Sequence, residues 1–546
     1  MKKASTFTRT KIRAASLAIL LVFTLTTIIG CGGTALDQAP AGTTAAATTT
    51  AAATEAATTA AATTTTAAQT VADTSDAGSG YTGELAPYVI DKYELTNAVS
   101  NDVGLVCDKI NEIIQPKYNA TLNMHMVTWS DWFTVVNTVL AAGEKADIIF
   151  TADWYQYTQS IANNYFMPLN DLMEQYARQT MDQLGETFIK GSQFKGINYG
   201  VPTDKELAVN GGFMWNQTLA EKYGLVPDPS WKSFRDWAPF LQIIKENEPD
   251  VLPILADGNL YHMDWISYVG WDIGWNGFEE DPTPLFLWEN KYYTDELYAL
   301  REMYQSEYIP RDAVSADVDY NTRHLQIGDF FLTTQPLKPG KGKSTELMSQ
   351  LITQGVVYDE YDTTPLMVNT THCGGSMLAI STTSQDPARA MMFINEMHTN
   401  PDVTNLMAWG VEGVHYTVTQ QANPKRVTPI EGNTWVSSMN GWMIGNFFSI
   451  YLSADEPEDK YDLLRATKVG IPPHLSNGYR FDPEDWLDTI TAVNNAMEEF
   501  TKNLRLGAID TNEGLQSLVS AADAAGFRPF FEAVKTDFDA WYAENK

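Results

Sequence analysis

The sequence predicts an α/β protein with more than one hydrophobic core and a run of helices at its carboxyl end. Three observations carry the prediction. Between Tyr93 and Phe150, short stretches of period two alternate with apolar residues at helical spacing. The chain has 546 residues, more than one core normally holds, so two or three domains are expected. From about Gly478 the sequence GYRFDPEDWLDTITAVNNAMEEF, and onward to Trp541, reads as acidic helix.

The first segment is an address rather than part of the fold. Lys2, Lys3, Arg9, Lys11 and Arg13 precede an apolar run from Ala14 to Ile29, too short and too abruptly ended for a comfortable membrane span. This pattern predicts a secretion signal over residues 1–30. It ends Ile28-Ile29-Gly30-Cys31, which resembles the lipobox of bacterial lipoproteins and implies lipidation of Cys31. Several acyl chains on one cysteine would anchor the protein to the membrane through lipid. Thr34 to Ala77 is almost entirely Thr and Ala and has too little apolar surface to offset ordering entropy, so residues 31–85 read as a disordered linker. About 45 such residues would span roughly 35 to 40 Å.

The net charge is −32, and removal of residues 1–30 deletes five cationic and no acidic side chains, leaving −37. A surface that acidic repels nucleic acid and anionic lipid headgroups, so no nucleic-acid partner and no polyanionic ligand is expected. Beyond Cys31 the cysteines are Cys107 and Cys373. Cys107 shares helical spacing with Val103, Val106, Ile110 and Ile114, which predicts a buried thiol; whether it pairs with Cys373 stays open.

Tyr93 to Ala98 reads as a strand, Asp102 to Gln115 as a helix closed by Pro116, and Ala120 to Val127 as a half-buried strand. Ser130 is expected to cap a helix through Trp132, Val136 and Leu140. LAAGEKADIIFTADWYQY, Leu140 to Tyr157, then breaks at Gly143 and forms a buried strand over Ala146 to Phe150. Strands joined by right-handed helical crossovers build a parallel sheet, and ligands bind beyond its carboxyl edge. Asp153, Trp154 and Tyr155 fall there after the third strand, and Trp129 after the second. Flat rings can stack on a sugar while Asp153 accepts from hydroxyls. The alternative is that Trp154 plugs the top of the sheet.

Further on, AAGE-x-x-D-I is followed by a Pro-Leu-Asn-Asp-Leu segment at 168–172 and by Gly196-Ile197-Asn198-Tyr199-Gly200-Val201-Pro202. An extended stretch, Asp204 to Trp215, then ends in Met-Trp-Asn, and a helix closes with Lys-Tyr-Gly-Leu at 222–225. Taken together, in this order and spacing, these pieces resemble the solute-binding lipoproteins of bacterial ABC sugar importers. Asn405 to Thr417, NLMAWGVEGVHYT, is similar to an element of the large subgroup of that family, whose extra helical domain the tail from 478 to 546 also resembles.

The resemblance implies a two-lobed periplasmic-binding-protein-like clamshell of type 2 over residues 86–477, hinged by segments such as 204–215, with a C-terminal helical extension. The first lobe would span about 86–205 plus a returning segment, and the second about 216–370 plus later helices. It also implies a carbohydrate ligand, ABC transporter permease subunits as partners, a monomer, no cofactor and no metal. Lys205 and Glu206 would face the cleft floor, with ordinary surface charges as the alternative. Trp409 and Glu412 would lie near the cleft. Trp271 and Trp275, in a Trp- and Gly-rich stretch from Trp265 to Gly277, read either as a ligand-stacking wall or as a satellite aromatic cluster. Trp435 and Trp442 follow in a similar stretch. Pro365 to Ser381 is expected to cross between the lobes, and Glu346 to Gln354 to be helical.

The HExxH, CxxC and GxSxG motifs do not occur. Lys338 to Thr345, KPGKGKST, departs from a phosphate loop because Leu337 stands in place of its first Gly. Asp317-Val318-Asp319-Tyr320-Asn321 departs from a calcium loop at Thr322 and Gly328. Asp455, Glu456, Glu458 and Asp459 read as a solvated face. The expected activity is non-enzymatic: capture of an oligosaccharide on the outer face of the membrane for an ABC importer. The rivals are an exported glycoside hydrolase and a ligand-sensing adhesion module.

Overall fold

The computed structural model describes residues 85–263, 266–276, 280–316, 320–340, 356–454 and 456–545. The expected secretion signal, Cys31, nearly all of the linker, Trp265, Gly277, residues 317–319, the phosphate-loop-like residues from 341, the helix expected at 346–354 and Asp455 lie outside them.

The first sheet begins with β1 (Tyr88–Thr96), α1 (Val103–Tyr118), β2 (Ala120–Thr128), α2 (Trp132–Ala141), β3 (Ile148–Thr151) and β4 (Gly200–Pro202). The strand alternation is real: Ile90, Leu122, Met124 and Ile148 face one core, while Tyr93, Leu95, Val127 and Ile149 face another on the opposite side of the sheet. Two expected boundaries shift. Pro116 does not close α1 but sits in its last turn, where it removes only one backbone donor; Asn119, left-handed at φ 48°, ends the helix and donates to the Gln115 carbonyl. Asp131 rather than Ser130 occupies the cap of α2, and its carboxylate takes the Thr128 hydroxyl at 2.8 Å.

The second lobe comprises β5 (Gly212–Asn216), α3 (Gln217–Tyr223), α4 (Ala238–Asn247), β6 (Leu252–Ile254), β7 (Ile266–Gly270), β8 (Ile273–Asn276), β9 (Leu285–Phe286), α5 (Lys291–Gln305), β10 (Phe330–Thr334) and β11 (Tyr358–Asp362). A capping box of Ser233 and Asp236 starts the helical turn that leads into α4. The chain then returns to the first lobe with β12 (Met377–Ile380), α6 (Pro387–Thr399) and α7 (Pro401–Trp409), and adds the hairpin β13 (Tyr416–Gln420) and β14 (Arg426–Pro429). It ends with α8 (Leu487–Arg505), α9 (Thr511–Ala524) and α10 (Phe527–Asn545).

The first sheet has the order β2-β1-β3-β12-β4 and the second β11-β5-β10-β6. The expectation of a parallel first sheet holds for β1, β2 and β3, but β12 inserts antiparallel between β3 and β4. A strand arriving from the other lobe enters from the opposite direction, which is the physical reason for the reversal. Three segments cross between the lobes: β4 to β5, β11 to β12, and the return through Pro473 to Arg480. They are laced by bridges between Asn210 and Leu337, Val209 and Met367, and Val368 and Pro473.

Direction follows from these pairings. β4 runs parallel to β3, so the first crossing leaves the first lobe at the carboxyl ends of β2 and β3. In the second lobe β10 is antiparallel to β5 and parallel to β6, so the carboxyl ends of β6 and β10 also face the crossings. The carboxyl-terminal helices share one core with the second lobe: Ile490, Val493, Met497, Phe527, Phe530 and Phe538 pack with Phe213, Trp275, Leu297 and Phe331. Cys107 and Cys373 are both buried free thiols. Within the acidic cluster Glu456 is not solvated; it is buried, pairs with Lys460 and accepts from the Ser453 amide at 2.9 Å.

Candidate functional site

Beyond the carboxyl ends of β2 and β3, rings from three separate segments converge. Trp129 stacks near Trp154 at 6.2 Å between centroids and 24° between planes, and near Trp442 at 6.4 Å and 25°. Tyr155 stands edge-on to Trp129 at 6.1 Å, and Phe133, exposed on α2, lies 4.3 Å from Tyr155. Beneath them Phe150, at the end of the buried strand, touches Trp154, Tyr155 and Trp442. The rings form an aromatic shelf rather than a plug: Trp154 is 46% exposed although its indole N–H is held by the Gly375 carbonyl at 2.8 Å. The Trp129 N–H donates to Asn97 Oδ1 at 3.1 Å. Fixed indoles with open faces give stacking area at little entropic cost.

Asp153 plays a different part from the one expected. Arg480, from the third crossing, grips it with two bonds: Nε donates to Oδ1 at 2.7 Å and Nη2 to Oδ2 at 2.6 Å. Arg480 Nη1 also donates to the Gln193 carbonyl at 2.7 Å. The guanidinium is buried, and its fork matches both carboxylate oxygens. Asp153 thereby braces the shelf against the crossing segment instead of presenting a free acceptor. Gly374 makes this approach possible, since a Cβ there would stand 2.0 Å from Asp153 Oδ2.

Lys205 and Glu206 are neither surface charges nor open cleft groups. Both are buried in the first crossing, with Lys205 Nζ 3.0 Å and Lys338 Nζ 3.3 Å from the same Glu206 oxygen, Oε1. Burial pushes the Glu206 carboxyl up, but the two ammonium groups outweigh it and hold the pKa at about 2. Nearby, burial and then the Lys205 charge push His372 down to about 4, so its ring is neutral at pH 7. The Glu206 shift fixes a sign. Its folded pKa lies below the ordinary 4.5, so the stabilisation is complete above that pH and is lost as pH falls from about 4.5 toward 2. Urea unfolding across this window is expected to show a steeper acid loss for the wild type than for Glu206→Gln; equal slopes would contradict the pairing.

Several expected ligand residues lie elsewhere. Trp275 is 1% exposed, its ring 4.5 Å from Phe538, and is core rather than cleft wall. Trp409 is 5% exposed at the end of α7, with its N–H on the Tyr451 carbonyl at 3.0 Å, and packs in the first-lobe core. Glu412 is exposed and faces Lys425 at 3.8 Å, beside the β13–β14 hairpin. Trp271 packs edge-on against Phe481 and Phe530. Trp435 is also core. Sequence reasoning missed Arg480 and Phe133. Phe133 carried a signal, an apolar residue on the polar side of α2, whereas nothing local marks Arg480.

This architecture is shared with known proteins. A family model described as bacterial extracellular solute-binding protein matches residues 108–402, and a domain of unknown function (DUF3502) matches residues 475–543. A carbohydrate ABC transporter substrate-binding protein of Streptococcus pneumoniae is 23% identical over 463 residues, covering 84% of this chain and 90% of that protein. The N-glycan transport solute binding protein NgtS of the same species, in complex with Man1GlcNAc, superposes with a TM-score of 0.72 at 20% identity, over 84% of this chain and all of that one. A solute-binding protein of Bifidobacterium longum infantis, described as HMO-binding and ABC-transporter-associated, aligns at 0.56 and 13%, over 84% of this chain and all of that one. The fold is a periplasmic-binding-protein-like clamshell with a helical carboxyl-terminal region. With two laced lobes, an aromatic shelf at their junction and a family match across more than half its length, the chain belongs to the bacterial extracellular solute-binding proteins.

Proposed function

We propose that this protein captures an oligosaccharide outside the cell and delivers it to the permease of an ABC importer. The observation that carries the reading is the shelf of Trp129, Trp154, Tyr155 and Trp442 at the carboxyl edge of the first-lobe sheet, in which Trp154 is exposed, the other three rings are half-buried, and the N–H groups of Trp129 and Trp154 are held by hydrogen bonds. Sugar rings have flat apolar faces that stack on indoles, and hinge closure would bury them between the lobes. The similar pneumococcal proteins, one a carbohydrate substrate-binding protein and the other bound to Man1GlcNAc, support the ligand class. The Gly30-Cys31 boundary after the apolar leader supports a lipid anchor; membrane fractionation of Cys31→Ser should release the protein into the medium.

Binding without hydrolysis is favoured by Arg480, which occupies both oxygens of the one carboxylate braced against the shelf. Glycoside hydrolysis requires two carboxyl groups about 5 to 9.5 Å apart across the scissile bond. The test is a thermal-shift and calorimetric panel of neutral oligosaccharides, beginning with Man5GlcNAc, with a galacturonate tetramer as the acidic comparator. A member at 100 times its Kd should add about 2.7 kcal/mol of stability, and no reducing ends should be released. Trp154→Ala is expected to weaken binding by about 2 kcal/mol, roughly 30-fold, while leaving the unfolding midpoint nearly unchanged because the ring is half exposed. Full affinity in that variant would remove the shelf from the site.

A further inference from the structure

The shelf occupies only the first lobe, and a clamshell needs a second surface. A cavity of about 460 Å³ lies in the second lobe, lined by the loop Asp257-Gly258-Asn259, by Asp272, and by one face of α8 that includes Asn494, Asn495 and Glu498. Its place is set by topology. Asp257 to Asn259 follow β6, and the Asn259 carbonyl accepts from the Thr334 hydroxyl at the end of β10, at 2.9 Å. The cavity therefore sits at the carboxyl ends of the second lobe's parallel strands, the ends that face the crossings, as the shelf does in the first lobe.

Its walls are already braced. Asp272 accepts from the Trp288 N–H at 2.8 Å and from Arg505 at 3.0 Å, Lys502 reaches the Ala316 carbonyl at 2.8 Å, and Asp257 takes the Asn259 amide at 2.9 Å. Asn494, Asn495 and Glu498, by contrast, have side chains without a hydrogen-bond partner among the described residues. Amides that both donate and accept, beside a carboxylate that accepts, match the hydroxyls of a sugar ring. The volume falls within the usual range for ligand pockets. Three carboxylates, of Asp257, Asp272 and Glu498, against the cations Lys502 and Arg505 leave the lining slightly negative, which disfavours an acidic sugar.

We infer that this cavity is a second sugar subsite, specific for a neutral hydroxyl-rich residue, and that α8 of the carboxyl-terminal domain of unknown function supplies its polar contacts. The inference rests on the oligosaccharide reading above. It assigns that domain a part in recognition rather than in scaffolding alone.

Full-length Asn494→Ala and Glu498→Gln, both at exposed helix positions, should unfold like the wild type. Each should bind Man5GlcNAc, or whichever neutral panel member binds the wild type most tightly, at least tenfold more weakly. Hydrogen exchange with the same sugar should slow both for shelf peptides around 150–157 and for the α8 peptide 487–505. Unchanged affinity in both variants, or protection confined to the shelf, overturns the second subsite and leaves the transport reading standing. Tighter binding of the galacturonate tetramer than of the neutral sugars overturns the assigned specificity. If no panel member stabilises the wild type, the subsite falls together with the function it rests on.

Discussion

Arg480→Ala is expected to lose about 3 to 5 kcal/mol of unfolding free energy and most of the oligosaccharide affinity. The guanidinium is buried and donates to both Asp153 oxygens and to the Gln193 carbonyl, so its removal strands a largely buried carboxylate and a carbonyl acceptor. Asp153 directly precedes Trp154, whose indole is pinned to Gly375 on the segment leading into β12; the same contact set therefore fixes the ring and ties the third crossing to the first lobe. Arg480→Lys should recover only part of the loss, because a single ammonium cannot reproduce the two-pronged bond. Urea unfolding at pH 7, read alongside calorimetric titration, separates the outcomes. A variant of wild-type stability would show that the pair contributes nothing net, and wild-type affinity would show that the shelf does not depend on it.

Trp275→Ala is expected to cost about 3 to 5 kcal/mol as well, through a cavity rather than a charge. Its ring is enclosed by Phe538 and Tyr479, and its N–H bonds the Pro282 carbonyl at 2.9 Å, so the substitution removes packing between β8 and the carboxyl-terminal helices. At temperatures where the variant remains folded, affinity should match the wild type. This is the reverse of Trp154→Ala, which should lose binding and keep stability. Were Trp275→Ala to keep its unfolding midpoint and lose ligand, the core placement of that ring would be wrong.

The contrast between these two tryptophans marks the limit of local reading. Trp154 and Trp129 follow from a rule that needs only strand direction, that residues beyond the carboxyl end of a strand lie at the mouth of the crevice; the strand expected at 120–127 is legible from its alternation and the one expected at 146–150 from its apolar run after the Gly143 break, against observed strands at 120–128 and 148–151. Trp275 and Trp409 have no such directional cue. Both sit in Gly-rich stretches that look open in sequence but are covered by elements from remote parts of the chain, α10 in one case and the segment around Tyr451 in the other. Lys205 and Glu206 were located in the crossing correctly, yet their mutual burial depends on Lys338, more than 130 positions away.

The amino-acid sequence alone determined the α/β character, the net acidity, the helical tail and the aromatic positions at two strand ends, because periodicity, composition and strand polarity are properties of neighbouring residues. Tertiary structure decided the antiparallel insertion of β12, the grip of Arg480 on Asp153, the sorting of tryptophans into shelf and core, and the union of α8 with the second lobe. Each of these depends on which distant segments meet, and burial, which sets whether a ring stacks on a ligand or on its neighbours, exists only once they do.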